Sequence, residues 1–291
     1  MRIGIPRAFY YFNYPGLWET FFREIGMVPV VSGLSTKKTL ELAAAVTETE
    51  HCLPHKLFDG HIASLLEKVD ALFIPRIVSM AKKFVVCTKF GALPCACTAG
   101  VARGKRVVTV DINEPQKSLD KTLKELGVSL GIESKKSSRA AGLAVKAMRE
   151  EQKKMDERIF NIPAPRFLLL GHPYTLHDNF IAEPIIRKLK SLDVNMEFIS
   201  FTGKPDLSCY IRWCTFNKIF IKLKTLKPDI YSGVIQITTF NCGGDSAMID
   251  EFRRLCAEKN IPYLAVMVDE HSGQAGLDTR LEAFLDSLTW R

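Results

Sequence analysis

The stretch Gly233-Val-Ile-Gln-Ile-Thr238, followed by Thr239-Phe240-Asn241-Cys242-Gly243-Gly244-Asp245 and then by Ser246-Ala-Met-Ile-Asp-Glu-Phe252, decides how this chain is read. The first segment is a short apolar run with the pattern of a buried parallel strand, and the last has helical spacing. Cys242 therefore falls where a strand ends and a helix begins. In open α/β sheets that carboxyl edge is where ligands bind. Gly243 and Gly244 let the backbone approach a bound group closely. The helix start behind them offers free N–H groups to anions, thiolates and cluster sulfides included. For this cysteine taken alone, a small buried residue in a turn is the competing reading.

Working outward, the same alternation fills the chain. Arg2 to Ile5 reads as a strand stopped by Pro6, Pro15 to Gly26 as a helix, and Val28 to Val31 as a second strand. Cys52 precedes a helix whose first turn accepts Pro54, because a missing N–H is no loss there. Asp70 to Ile74 is the next strand, Lys83 to Cys87 a strand or an extended loop, and Gly104 to Asp111 a further strand. Two helices, Gln116 to Gly127 and Ser138 to Phe160, lead to Asn161-Ile-Pro163-Ala-Pro165, whose two prolines read as a linker. From Arg166 strands and helices alternate again, with a loosely patterned helical stretch from Leu207 to Leu226. The expected fold is α/β, with two Rossmann-like (flavodoxin-like) parallel-sheet halves, 1–162 and 163–291, facing a central cleft.

Composition supports a large core: 47% of the 291 residues are hydrophobic, 18 of them Phe. The formal charge is +8, but Lys and Arg are spread along helices, so no nucleic-acid partner is expected. An anionic ligand such as a coenzyme A thioester, or an acidic protein, fits as well. No apolar run reaches membrane-spanning length, and Met1 to Pro6 runs straight into a strand. A cytoplasmic protein without membrane partners is the expectation. In that reducing compartment eight cysteines are no disulfide framework, which directs some of them to metal binding or catalysis. No CxxC pair occurs, and Cys95-Ala-Cys97 is too closely spaced for a zinc knuckle.

Several motifs are familiar in their order: Arg2-Ile-Gly-Ile-Pro-Arg7 with Asn13-Tyr-Pro15 and Trp18, Cys52-Leu-Pro-His-Lys56 with Gly60-His61, Phe73-Ile-Pro-Arg76, Gly171-His-Pro-Tyr174 with Asp178, Phe240-Asn-Cys-Gly-Gly-Asp245, and Asp269-Glu-His-Ser-Gly-Gln-Ala-Gly-Leu277. Together they resemble the acyl-CoA dehydratase activase-related proteins, a family related to the 2-hydroxyacyl-CoA dehydratases and the double-cubane cluster proteins. The resemblance runs from the first residues to the last. It implies that Cys52, Cys87 and Cys242 are metal ligands holding a 4Fe-4S cluster, in single- or double-cubane form, with Gly243 and Gly244 lining the cofactor site. It also implies a partner, a separate ATP-dependent activator iron–sulfur protein, since the ATP-binding module is missing here. The nearest thing to a phosphate loop, Gly100-Val-Ala-Arg-Gly104-Lys105, is one residue short and opens a strand. Thr88 stands where many relatives carry proline after the middle cysteine.

His172 in its Gly-His-Pro turn, and Glu270 with His271, are the catalytic candidates as proton carriers or outer donors; turn-capping is the ordinary alternative for the histidines. Lys56 and Arg76 read either as neutralisers of an anionic cluster or as solvated surface. The expected function is electron acceptance from the activator for reductive or radical chemistry on a small or CoA-linked substrate. The alternative is a non-enzymatic electron carrier or cluster scaffold in a larger complex. Expected partners thus include the activator, that substrate and a second copy of the chain as a dimer.

Overall fold

The computed structural model describes residues 1–160 and 166–289. In chain order these form β1 (Arg2–Ile5), α1 (Leu17–Glu24), β2 (Val28–Val31), α2 (Lys37–Ala44), α3 (Leu53–Leu65), β3 (Ala71–Phe73), β4 (Arg76–Ser79), α4 (Thr88–Ala99), β5 (Arg106–Val108), β6 (Asp111–Asn113), α5 (Leu119–Ser129) and α6 (Ser134–Phe160). The second series is β7 (Arg166–Leu170), α7 (Pro173–Leu176), α8 (Asn179–Ser191), β8 (Met196–Phe198), α9 (Cys214–Lys224), β9 (Tyr231–Thr239), α10 (Gly243–Ala257), β10 (Tyr263–Val268) and α11 (Gln274–Thr289).

The strands make two four-stranded parallel sheets, β2-β1-β3-β5 and β8-β7-β9-β10. Each has the order second, first, third, fourth in its own series, the flavodoxin-like order, whose switch point lies between the first and third strands. The fold is α/β with Rossmann-like halves. Each sheet has its own apolar core. Trp18, Phe21, Phe22 and Phe73 pack in the first, and Leu168, Ile235, Phe216 and Phe252 in the second. Each such fully buried side chain contributes roughly 1.5–3 kcal/mol. The boundary expected at 162/163 lies outside the described residues. No described helix is long and apolar enough to cross a membrane.

Two elements differ from their sequence pattern. Gly104 to Asp111 is not one strand: β5 ends at Val108, and β6 pairs with β4 in a separate two-stranded sheet. The chain changes sheets between them, with Ile74 N–H donating to the Val108 carbonyl and Arg76 N–H to that of Val110. The helical stretch after Leu207 begins only at Cys214. The segment before it is held as a loop by buried Asn217, whose amide nitrogen donates to the Asp206 and Ile211 carbonyls while its oxygen accepts from Asp206 N–H. Those local bonds compete successfully with the helix.

The two series are joined at several points. Val85 N–H donates to the Arg212 carbonyl at 2.8 Å, and Cys214 N–H returns a bond to Val85 at 3.0 Å. Ser35 exchanges backbone bonds with the Asn179 side chain, while its hydroxyl donates to Asp178 and meets His61 Nε2. Lys56 reaches Glu270 at 2.5 Å.

Candidate functional site

The loops leaving the switch points of both sheets meet. His172 and Tyr174 follow β7, Asn241 and Cys242 follow β9, and Phe9 follows β1. Phe9 takes φ +48, strained for a bulky residue, and is boxed in by the rings of His55, Phe58, Phe90 and Tyr174 at centroid distances of 5.3 to 5.6 Å. Such strain persists where its surroundings over-determine it and is concentrated at functional sites. Asn241, immediately before Cys242, is also left-handed at φ +61, which asparagine tolerates better than most residues.

Cys52, Cys87 and Cys242 are the N-cap residues of α3, α4 and α10. All three sulfurs act on one group, the Tyr174 phenol. Burial first, then Cys242 and Cys87, then Asp245 and Cys52 push that phenol well above its ordinary pKa. Cys52 likewise acts on both Cys87 and Cys242. Cys52 and Cys242, 190 positions apart in the sequence, are thus near enough for their charges to interact.

None of the three thiols makes a regular side-chain cap bond among the described residues, yet helix-start N–H groups bear on two of them. Burial raises the Cys87 thiol, and the N–H groups of Lys89 and Phe90 partly offset it. Burial, followed by the Asp245 charge, raises Cys242 strongly, with the Asp245 N–H opposing. As free thiols these two are protonated and weakly reactive at neutral pH. Lys89 sends its Nζ to within 3.6 Å of Cys52 Sγ.

His172, at the N-cap of α7, is 2% exposed and stacks on Tyr174 at 4.7 Å with an 8° interplanar angle. Its Nε2 lies 3.4 Å from Asp245 Oδ1 without hydrogen-bond geometry, and Asp245 Oδ2 accepts from the Thr238 hydroxyl at 2.8 Å. His172, Cys242 and Asp245 offer donor atoms within 4.8 Å of one another. Glu270 is half-buried and paired with Lys56. Burial, the largest single influence, pushes its carboxyl up, but the Lys56 bond, its own backbone N–H and the Lys56 and His271 charges together hold it below the ordinary carboxylate value. His271 lies on the exposed turn beside it, its N–H bonded to Asp269, outside the buried group.

The glycine pair divides. A Cβ on Gly243 meets nothing within 4 Å among the described residues, whereas one on Gly244 falls 2.8 Å from the Phe216 ring. Gly244 is thus required by packing of α10 on α9. Cys95 is exposed on α4, and Cys97, Cys209, Cys214 and Cys256 are buried. Arg76 pairs with Asp111 at the surface. Lys105, in the incomplete phosphate loop, donates to the Leu66 carbonyl at 2.6 Å.

Sequence reasoning did not single out Tyr174, Lys89 or Asp245. Asp245 carried a signal, lying three residues after Cys242 in the first turn of a helix. Lys89 carried none, since its contact with Cys52 spans 37 positions.

Residues 2–200 match the family model described as CoA enzyme activase uncharacterised domain (DUF2229), a span that includes Cys52, Cys87 and His172 but not Cys242. No curated protein matches the chain. Among solved structures it is similar to ZnuA, at 10% identity and TM-score 0.29 over 99% of this chain and 98% of that one. It is also similar to an FpvC mutant from Pseudomonas aeruginosa, at 14% identity and TM-score 0.30 over 100% of both chains. A Zn(II)-bound AdcAII mutant variant of Streptococcus pneumoniae shows 10% identity and TM-score 0.29 over 99% of both. Likeness at that level carries nothing over to this chain. The family match spans more than half of the sequence, and the chain belongs to the CoA enzyme activase uncharacterised domain family.

Proposed function

We propose that this chain is an iron–sulfur protein related to the 2-hydroxyacyl-CoA dehydratases, in which Cys52, Cys87 and Cys242 hold a 4Fe-4S cluster. It takes low-potential electrons from a separate ATP-dependent activator for reductive or radical chemistry on a small or CoA-linked substrate. The observation that carries this reading is that Cys52, Cys87 and Cys242 each cap the start of a helix and each lies near enough to Tyr174 to raise its phenol.

The donor set fits such a cluster. Three soft sulfur ligands come from three separate loops, and three helix starts plus Lys89 supply positive potential against the accumulated charge. Burial disfavours the free thiolates of Cys87 and Cys242, so a bound cation is the natural means of holding them deprotonated. When bound, the cluster supplies single electrons at low potential and one iron without a protein ligand.

The chain's own residues support chemistry rather than carriage alone. His172, stacked on Tyr174 and facing Asp245, is placed to hold or pass a proton beside the thiols. Tyr174 keeps its phenolic proton and serves as a neutral donor. Phe9 and Phe90, edge-on to Tyr174, exclude water from that side. The Lys56–Glu270 ion pair ties α3 to the loop after β10.

A second reading, a mononuclear zinc site, draws on the grouping of His172, Cys242 and Asp245 within 4.8 Å. Anaerobic reconstitution with iron and sulfide separates the two. The cluster reading expects about four iron and four sulfide per chain and an EPR signal on reduction. Zinc retention without sulfide uptake rejects it.

A further inference from the structure

We infer that His51, His55 and Asp59 form a binding site for a first-row divalent metal ion, independent of the three cysteines. Donor atoms of the three residues lie within 4.8 Å of one another. His51 Nδ1 is 3.3 Å and His55 Nε2 3.9 Å from the Asp59 carboxylate. A metal bound at about 2.0–2.2 Å by each donor holds its donors roughly 3.0–3.5 Å apart, close to the spacing already present.

The group is built rather than incidental. Asp59 is 4% and His55 5% exposed, and His55 Nδ1 has no hydrogen-bond partner among the described residues. His55 Nε2, the nitrogen facing Asp59, stands 3.9 Å from its carboxylate, beyond hydrogen-bond distance, which leaves room for an ion between the two. Asp59 is a buried carboxylate beside two imidazoles. The Thr47 hydroxyl donates to its Oδ2 at 2.7 Å, as an outer group orients a ligating carboxylate. Lys89 also acts on Asp59 and His55, but its ammonium is drawn towards Cys52 at 3.6 Å.

The rings of His51 and His55 stack at 3.7 Å with an interplanar angle of 9°. The His51 side chain is 25% exposed, which gives an ion access from solvent and lets that ring tilt until both lone pairs meet. Two imidazoles and one carboxylate select zinc, iron(II), cobalt or a similar ion over magnesium or calcium. An ion held there ties the segment before α3 to that helix's second turn, with Cys52 between them.

The test titrates Co²⁺ alone into a chain carrying Cys52→Ser, Cys87→Ser and Cys242→Ser, followed by d–d absorption and calorimetry. The expected result is one Co²⁺ per chain, with cobalt bands but no sulfur-to-cobalt charge transfer. Asp59→Asn or His55→Gln in that background abolishes it, and Thr47→Val weakens it about tenfold. A folded cysteine-substituted chain that binds no Co²⁺, or that binds equally well with Asp59→Asn, overturns the inference. Should the triple variant fail to fold by circular dichroism, the wild-type chain against its Asp59→Asn variant decides. Loss of one Co²⁺ equivalent supports the site, and unchanged stoichiometry refutes it. The triple substitution removes the proposed cluster ligands, so failure of the cluster reading leaves this result standing.

Discussion

The ammonium of Lys89 lies 3.6 Å from the sulfur of Cys52, and the backbone N–H of the same lysine favours the thiolate of Cys87. One residue at the start of α4 thus serves cysteines on two helices. A cation beside a sulfur promotes thiolate character. Lys89→Met removes a charge that favours the Cys87 thiolate and is expected to slow alkylation of Cys87 in the metal-free chain roughly fivefold, the factor that about 1 kcal/mol of partly exposed charge interaction gives. Lys89→Arg should retain most of the wild-type rate. Iodoacetamide kinetics with site mapping by mass spectrometry make the check, and equal rates in Lys89→Met and wild type speak against that influence.

Acid stability should depend on buried neutral histidines. Burial, with the Arg7 charge, lowers His61 from 6.5 to about 4, and burial alone lowers His177 to about 4. A depressed histidine pKa means the unfolded chain binds more protons between about 4 and 6.5, so stability falls as pH drops through that window. His61 contributes up to about 3 kcal/mol of that loss at 1.36 kcal/mol per unit. Thermal unfolding of His61→Gln against wild type from neutral pH down to about 4 should show a shallower decline in the variant. Parallel curves contradict the assignment.

The glycine pair separates packing from ligand approach. Gly244→Ala drives a methyl into Phe216, with Trp213 at 3.3 Å, and should cost about 1–3 kcal/mol. Gly243→Ala meets open space at a helix start and should be neutral or stabilising by up to about 1 kcal/mol. Denaturant unfolding gives both values. If Gly243→Ala nevertheless lowers iron uptake without losing stability, close backbone approach at that position is the cause.

Much of this arrangement was legible because local patterns determine it. The apolar run before Cys242, the glycines after it and the prolines at Pro54 and Pro173 each mark a strand end or a helix start, and all three cysteines sit at such ends. The division of Gly104 to Asp111 between two sheets was not legible, since β-pairing partners are set by distant strands and not by the segment's own pattern. Tyr174 reads as an ordinary aromatic in a Pro-Tyr turn. The influence of all three thiols on it arises only from the folded arrangement of segments far apart in sequence. The packing role of Gly244 was not legible for a related reason, because its neighbours Phe216 and Trp213 come from α9 and the loop before it, not from the adjoining sequence.

The most direct measurement is iron and sulfide content with the visible spectrum after anaerobic reconstitution, taken across single serine substitutions. Cys52→Ser, Cys87→Ser and Cys242→Ser should each lose most of the iron and the sulfur-to-iron absorption, while Cys209→Ser and Cys256→Ser keep both. Full iron and sulfide in Cys242→Ser, or no sulfide uptake by the wild-type chain, would contradict the proposal that the three helix-start cysteines share one cluster.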